Sequence, residues 1–356
     1  MLPCKLTPEP HFAGNQPLSV HPRACGKAMR RRDFIKAVAS SAAAWPLAAR
    51  AQRSAIPVVG VVSGRSHDAD ARNVTAFYKG LSEAGYVDGQ NVTVEYHWVE
   101  GNYDRLPAVM AELVRRQVAV IATPGNNAAA LAAKAATATI PIVFAVGQDP
   151  VKMGLVASLA RPGGNATGIN DFLSEVDAKR LRLLHDIVPK ATRVAVLVNA
   201  ANTASAESAL QGTKDAAAAT GLQLRILNAT TIGEIDAAFA SFAQERPDAL
   251  FVAADAFFNS RGAQFATLTA RERIASAFSD RAMVAAGGLM SYGADLVEIA
   301  HQVGLYTGNI LKGAKPADVP VQQSTKFNFA INLQTARVLG VEVPSGVLSI
   351  ADEVIE

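Results

Sequence analysis

Cysteine is nearly absent from this chain. Of its 356 residues, two are cysteines, Cys4 and Cys25, and none lies beyond residue 51. The remaining body therefore has no disulfide framework and no Cys-ligated metal site, which suits an oxidising compartment. Aromatic residues make up 6%, leaving little surface on which nucleic-acid bases stack. Catalytic signatures are missing too. There is no Gly-x-Ser-x-Gly elbow, no His-Glu-x-x-His and no Gly-x-x-x-x-Gly-Lys-Ser/Thr. His67, His97, His185 and His301 are scattered without ligand spacing. No metal, cofactor or enzymatic activity is expected.

The basic excess is local. The formal charge is +3, from 34 Lys/Arg and 31 Asp/Glu. Residues 1–51 hold eight of the bases and two of the acids, so 26 and 29 remain and the body carries −3. With no basic patch, a nucleic-acid partner is not expected. Half of the residues are hydrophobic and 18% are charged, a globular composition. The length fits two α/β lobes.

The N-terminus has the pattern of an address. Arg30-Arg31-Arg32-Asp33-Phe34-Ile35-Lys36 precedes an apolar run, Ala37 to Ala49, and then Ala49-Arg50-Ala51-Gln52. A charged region, a short apolar region and a small-x-small end make a secretory signal, and the run falls short of the roughly 20 residues that span a bilayer. The paired arginines resemble a twin-arginine signal. The expectation is a signal peptide over 29–51, cleaved after Ala51, with 1–28 an upstream extension ahead of a start at Met29 and the mature protein in the periplasm.

From Ile56 onward, short apolar runs alternate with helical patterns. Pro57–Val62, Asn91–Trp98, Val118–Ala122 and Ile142–Val146 read as strands, separated by helices that include a stripe of Val74, Phe77 and Leu81 and an Ala-rich Asn127–Ala136. The Gly-rich Arg161–Gly168 interrupts the rhythm and marks the approach to a crossing between lobes. The rhythm then restarts, with strands at Val194–Val198, Leu222–Leu227 and Ala249–Ala253. Later come an amphipathic helix through Leu296, Ile299, Val303, Tyr306 and Ile310, a strand at Phe327–Ile331 and a helix at Leu333–Leu339. This βα alternation calls for parallel sheets covered on both faces, in two similar lobes.

Several segments carry a resemblance: Gly80-Leu-Ser-Glu-Ala-Gly-Tyr-Val-Asp-Gly-Gln-Asn91, Tyr103-Asp-Arg-Leu-Pro107, Asp149-Pro-Val-Lys-Met-Gly-Leu-Val156, Arg161-Pro-Gly-Gly-Asn165, Gly287-Gly-Leu-Met-Ser-Tyr-Gly293 and Ile310-Leu-Lys-Gly-Ala-Lys-Pro-Ala-Asp318. Together they resemble the ABC-transporter substrate-binding family that includes tryptophan/tyrosine-type binding proteins. The resemblance implies a type I periplasmic-binding fold: two Rossmann-like lobes with parallel sheets, a three-strand hinge and a ligand closed between the lobes. It implies a first lobe from 54–167 plus 285–320 and a second from 168–284 plus 321–356. The expected partners are a small-molecule solute and a membrane permease, with the chain a monomer. Asn199-Ala-Ala-Asn202 and Asp255-Ala-Phe-Phe258 depart from the tryptophan-type members.

In open α/β sheets, ligands sit beyond the carboxyl ends of the strands. The residues at those ends are Ser63, then Gly125, Asn126 and Asn127 at a helix start, Asp149, Asn199 and Asp255; Tyr292 lies in the hinge-side segment. These eight are the candidate ligand contacts. The Gly-Asn-Asn helix start offers free N–H groups to a carboxylate, so an anion site would not need an arginine, and Asp149 or Asp255 can meet an ammonium. Helix capping is the rival role for Asn126, Asn127 and Asp149, and packing for Tyr292. Asp255 has the weaker capping case, because Ala256-Phe257-Phe258 is a poor helix opening. The expected ligand is a small polar solute, an amino acid or analogue. Transport receptor and sensor for a membrane receptor kinase both fit such a molecule.

Overall fold

The computed structural model describes residues 56–356; the expected signal peptide and upstream extension lie outside them. The first half follows the expected alternation. β1 (Val58–Ser63), α1 (His67–Glu83), β2 (Thr93–Trp98), α2 (Leu106–Arg115), β3 (Val120–Thr123), α3 (Asn127–Ala136) and β4 (Ile142–Val146) succeed one another. β5 (Ala166–Asn170) follows and was not expected as a strand. Its Ala-Thr-Gly-Ile-Asn run has little apolar signal, yet all five residues are buried. Gly168 permits this, since a Cβ there would lie 1.9 Å from the Phe144 carbonyl oxygen on β4.

The second half holds α4 (Leu173–Ile187), β6 (Arg193–Val198), α5 (Thr203–Thr220), β7 (Gln223–Asn228), α6 (Ile232–Ala240) and β8 (Ala249–Val252). It continues with α7 (Ala256–Asn259), α8 (Gly262–Glu272), β9 (Ala275–Phe278), α9 (Arg281–Ala285) and β10 (Met290–Ala294). α10 (Leu296–Leu311), β11 (Gln322–Gln323), β12 (Phe327–Asn332), α11 (Leu333–Leu339), α12 (Ser345–Leu348) and β13 (Glu353–Ile355) close the chain. Short polar side chains start many of these helices. Asn126, Thr231, Asp255, Asp280, Asp295 and Asn332 each accept a backbone N–H of the first turn, satisfying donors that the helix itself cannot.

Two sheets result. One has the order β11-β5-β4-β3-β1-β2 and the other β13-β12-β10-β9-β8-β6-β7. Every pairing is parallel except β10 with β12. Buried side chains fill both faces of each sheet: Val62, Met110, Leu113 and Phe144 on one side of the first, Val61, Phe77, Leu81 and Val303 on the other. In the second sheet, Val196, Leu184 and Phe251 oppose Leu197, Phe239 and Phe265.

Over the described residues the chain passes between the two lobes three times: from β5 to α4, from β10 to α10, and from β11 to β12. The second passage falls later than the resemblance implied. Residues 290–294 pair with β9 and β12 in the second sheet, so the return to the first lobe starts at α10, not at 285. Gly293 fixes this placement, because a Cβ there would lie 1.9 Å from the Ser279 carbonyl oxygen. The first sheet likewise runs on through Asn170, and Gln322–Gln323 still pair with it.

Candidate functional site

The carboxyl ends of β3, β4, β8 and β9 converge on a cleft between the lobes. The empty space there, open solvent at its mouth included, is about 880 Å³. The first lobe supplies Arg65, Tyr103 and the Pro124–Asn127 turn; the second supplies Val176, Arg180, Asn202 and Ala254–Ala256; Asp171, Gly293, Ala294 and Leu296 line the hinge side.

The lobes touch across this cleft. Tyr103 donates its hydroxyl to Asp255 Oδ2 at 2.9 Å, and Arg65 Nη2 donates to Asp280 Oδ2 at 2.9 Å. Ser66 N–H reaches Ser260 Oγ, Asn127 Nδ2 reaches Ser205 Oγ, both at 3.2 Å, and the Gln148 amide donates to the Ala204 carbonyl. Gly64 and Gly101 make the approach possible: a Cβ on Gly64 would fall 2.9 Å from the Ala256 Cβ, and one on Gly101 2.6 Å from the Phe257 Cβ.

A charged group sits in the second lobe's wall. Arg180 and Asp177, one helical turn apart on α4, are both fully buried and form an ion pair. The guanidinium also donates to the Tyr292 carbonyl at 3.1 Å and stacks over the Phe251 ring. Asp171 lies at the first crossing. Burial pushes the Asp171 carboxyl up to about 6, assisted by the charge of Asp177; burial also raises Asp177 to about 6, against the opposing pull of Arg180. Burial works against the Arg180 charge in turn.

These groups are incompletely bonded. Among the described residues that line the cleft, Asn126 Nδ2 and Arg180 Nε are buried donors without a partner, and Asp171 Oδ1 and Asn202 Oδ1 are buried acceptors without one. Asp177 Oδ2, beside Arg180, is also unpaired. An unsatisfied buried polar group costs about 1–3 kcal/mol, more when charged, so several on one wall call for an occupant. The unpaired set holds donors and acceptors, and both lobes contribute.

The eight residues singled out in the sequence separate here. Gly125, Asn126, Asn127 and Asp255 line the cleft. The Asn126 oxygen caps α3, the rival role, while its Nδ2 has no partner. Asn127 is committed to Ser205 and to the Gly147 N–H. Asp149 is a correction. It is exposed, is absent from the lining of this cleft, and accepts from Val151 and Lys152 N–H in a turn, which claims its carboxylate. Asn199 is buried behind the wall, donating to Asp255. Ser63 is buried and accepts from Arg65 N–H. Tyr292 packs against Phe327 and Phe329, outside the lining, because β10 turns its side chain into the second lobe's core. The capping argument for Asp255 also reverses, since Asp255 does cap α7, accepting from Phe257 N–H at 2.9 Å.

Arg180, Asp171, Asn202 and Arg65 were missed. The expectation that no arginine would be needed does not fit a cleft lined by two. A signal for Arg180 was present: Asp177 and Arg180 fall on the same α4 face as Val176, Leu181, Leu184 and Ile187, and an opposite-charge pair in an apolar stripe is seldom idle.

Comparisons with known proteins agree with this geometry. Residues 57–355 match the family described as ABC transporter substrate binding protein. A tyrosine-binding protein of Clostridioides difficile is 28% identical over 271 residues, which is 75% of this chain and 76% of that protein. A Streptococcus pneumoniae ABC domain solved in complex with L-Trp is 26% identical, with a TM-score of 0.76 over 85% of this chain and all of that one. The ligand-free, open structure of a Clostridium difficile substrate-binding protein with adhesive properties is also 26% identical, covers 84% of this chain and 99% of that one, and superposes with a TM-score of 0.58. At equal identity, this chain's arrangement is nearer to the ligand-bound structure.

Proposed function

This chain belongs to the ABC transporter substrate-binding protein family, a family of solute-binding proteins, and from that premise we propose that its cleft captures a free α-amino acid as the zwitterion. The observation that carries this is the unpaired set on the cleft wall. Arg180 Nε and Asn126 Nδ2 are donors for a carboxylate, and Asp171 Oδ1 and Asn202 Oδ1 are acceptors for an ammonium. A zwitterion satisfies both kinds together and brings a positive charge to Asp171, whereas an inorganic anion leaves the Asp171 carboxylate uncompensated. Val176, Leu296 and Ile299 give the same cleft an apolar stretch for a side chain. Relatives that bind tyrosine and tryptophan make aromatic L-amino acids the first candidates.

Export through the twin-arginine signal, release into the periplasm as a monomer and delivery of the amino acid to a membrane permease complete this reading. The test is thermal stabilisation by the common L-amino acids, each beside its decarboxylated and its amine-free counterpart. One or more intact amino acids should raise Tm, and both truncated forms of the same molecule should fail to match it. Stabilisation by a decarboxylated amine equal to that of its parent would remove the zwitterion reading.

A further inference from the structure

Asp255 was singled out as a partner for a ligand ammonium, yet its carboxylate has no room for one. Oδ1 accepts from Asn199 Nδ2 and Phe257 N–H, each at 2.9 Å. Oδ2 accepts from Asn202 Nδ2 at 2.8 Å and from the Tyr103 hydroxyl at 2.9 Å. A carboxylate offers about four lone-pair sites, and all four are taken. What these bonds do is visible at Asn202. An ionised carboxylate only accepts, so the end of the Asn202 amide that faces it must be NH₂. That leaves Oδ1 as the free end of a residue lining the cleft, buried and without a partner. Asn202 precedes α5, where an Asn oxygen ordinarily caps the first turn; here the side chain makes no cap bond.

We infer that Asp255 is a positioning residue for ligand binding: it turns the Asn202 amide so that Oδ1 is presented to an N–H donor of the ligand, and Tyr103 ties that arrangement to closure from the opposite lobe. The inference rests on the amino-acid reading for the identity of the donor, which is the ammonium. It predicts an inversion. In Asp255→Asn the residue at 255 can turn an NH₂ toward Asn202, and the Asn202 amide then rotates to accept it. The cleft loses an acceptor and gains a donor.

The probes are L-tyrosine and L-tryptophan, each beside its amine-free counterpart, 3-(4-hydroxyphenyl)propanoate or 3-(indol-3-yl)propanoate, in calorimetry on the full chain. Asp255→Asn and Asn202→Ala should each weaken the amino acids by roughly ten- to a hundredfold, the value of one charge-assisted bond, and leave the amine-free acids unchanged. The double variant should be no worse than either single one. Tyr103→Phe should weaken both kinds of probe equally, because it acts on closure. Additive losses would mean that Asp255 touches the ligand itself, equal losses for amino acids and amine-free acids would mean a merely structural role, and no loss in Tyr103→Phe would break the link to closure; each overturns the assignment. One arm needs no ligand. In the unliganded protein, the Asn202 side-chain NH₂ resonances, identified by their loss in Asn202→Ala, should be protected from hydrogen exchange and should lose that protection in Asp255→Asn. If neither amino acid binds at all, the choice of an aromatic ligand falls while this arm still decides the orientation of Asn202; equal exchange in the two proteins would overturn it.

Discussion

Asp171 shows how a residue can be costly in the empty protein and useful in the filled one. Its carboxyl and that of Asp177 are raised to about 6 by burial, and Asp171 Oδ1 has no partner. A raised acid pKa means that the folded state prefers the proton. The stabilisation from holding that proton is complete below the ordinary value near 3.8 and is lost as pH rises through about 6. A ligand ammonium reverses the preference by stabilising the charge. Amino-acid affinity should therefore fall as pH drops below about 6, approaching about tenfold per unit for one linked proton, and calorimetry at pH 5.5 in buffers of different ionisation enthalpy should show proton release on binding. Asp171→Asn should abolish most of that release. It should also leave the unliganded protein at pH 7.5 at least as stable as wild type, with the difference shrinking toward pH 5. A large loss of Tm at pH 7.5 would show that Asp171 is a structural group.

At the scale of elements, the contact that returns the chain to the first lobe depends on absent side chains. α10 packs on α1 through Gly304, whose added Cβ would lie 2.1 Å from the Phe77 carbonyl oxygen, and through Gly80, whose Cβ would lie 2.0 Å from that of His301. Each clash is with helix backbone, which cannot rotate away. Glycine inside a helix ordinarily costs about 1 kcal/mol relative to alanine, so Gly304→Ala on a free surface would stabilise. Here overpacking, typically about 1–3 kcal/mol, opposes the propensity gain and should win. Urea unfolding should show a net loss of up to about 2 kcal/mol for Gly304→Ala; a gain would mean that the helices separate at little cost. The sequence reading found α10 from its apolar stripe, but the stripe does not show the part played by Gly304 and Gly308, which lies in their close approach to Phe77, Leu81 and Ala84.

At the scale of the molecule, the described arrangement has the lobes in contact and is nearer to a ligand-bound relative than to an open one. A ligand shifts such an equilibrium only by bonding better to the closed form, and the unpaired atoms on both walls supply that difference. Small-angle scattering should give a larger radius of gyration for the unliganded protein than for the protein saturated with the amino acid identified by thermal shift. An unchanged radius would indicate lobes held together by their own bonds. Export is tested separately: replacing Arg31 and Arg32 by Lys should trap the precursor in the cytoplasm, and undiminished export would remove the twin-arginine route.

The alternation of apolar strand and amphipathic helix was legible from residue 57 onward because each element announces itself over consecutive positions, with period 2 or 3.6. α3, β4 and α11 fall where the pattern puts them. The polar strand ends were legible for the same reason, and Asn126, Asn127 and Asp255 stand on the cleft wall. Which strand-end residue faces the ligand was decided only by folding. Asp149, Asn199 and Tyr292 have the right chemistry and the right place in the order, but a turn, a neighbouring carboxylate and a sheet core claim them. The cleft is instead built from partners far apart in the chain. Arg65 meets Asp280 across 215 positions and Tyr103 meets Asp255 across 152. Hydrogen bonds of that span carry no local periodicity, so the sequence alone determined the layers and the tertiary structure determined which polar atoms were left over to bind.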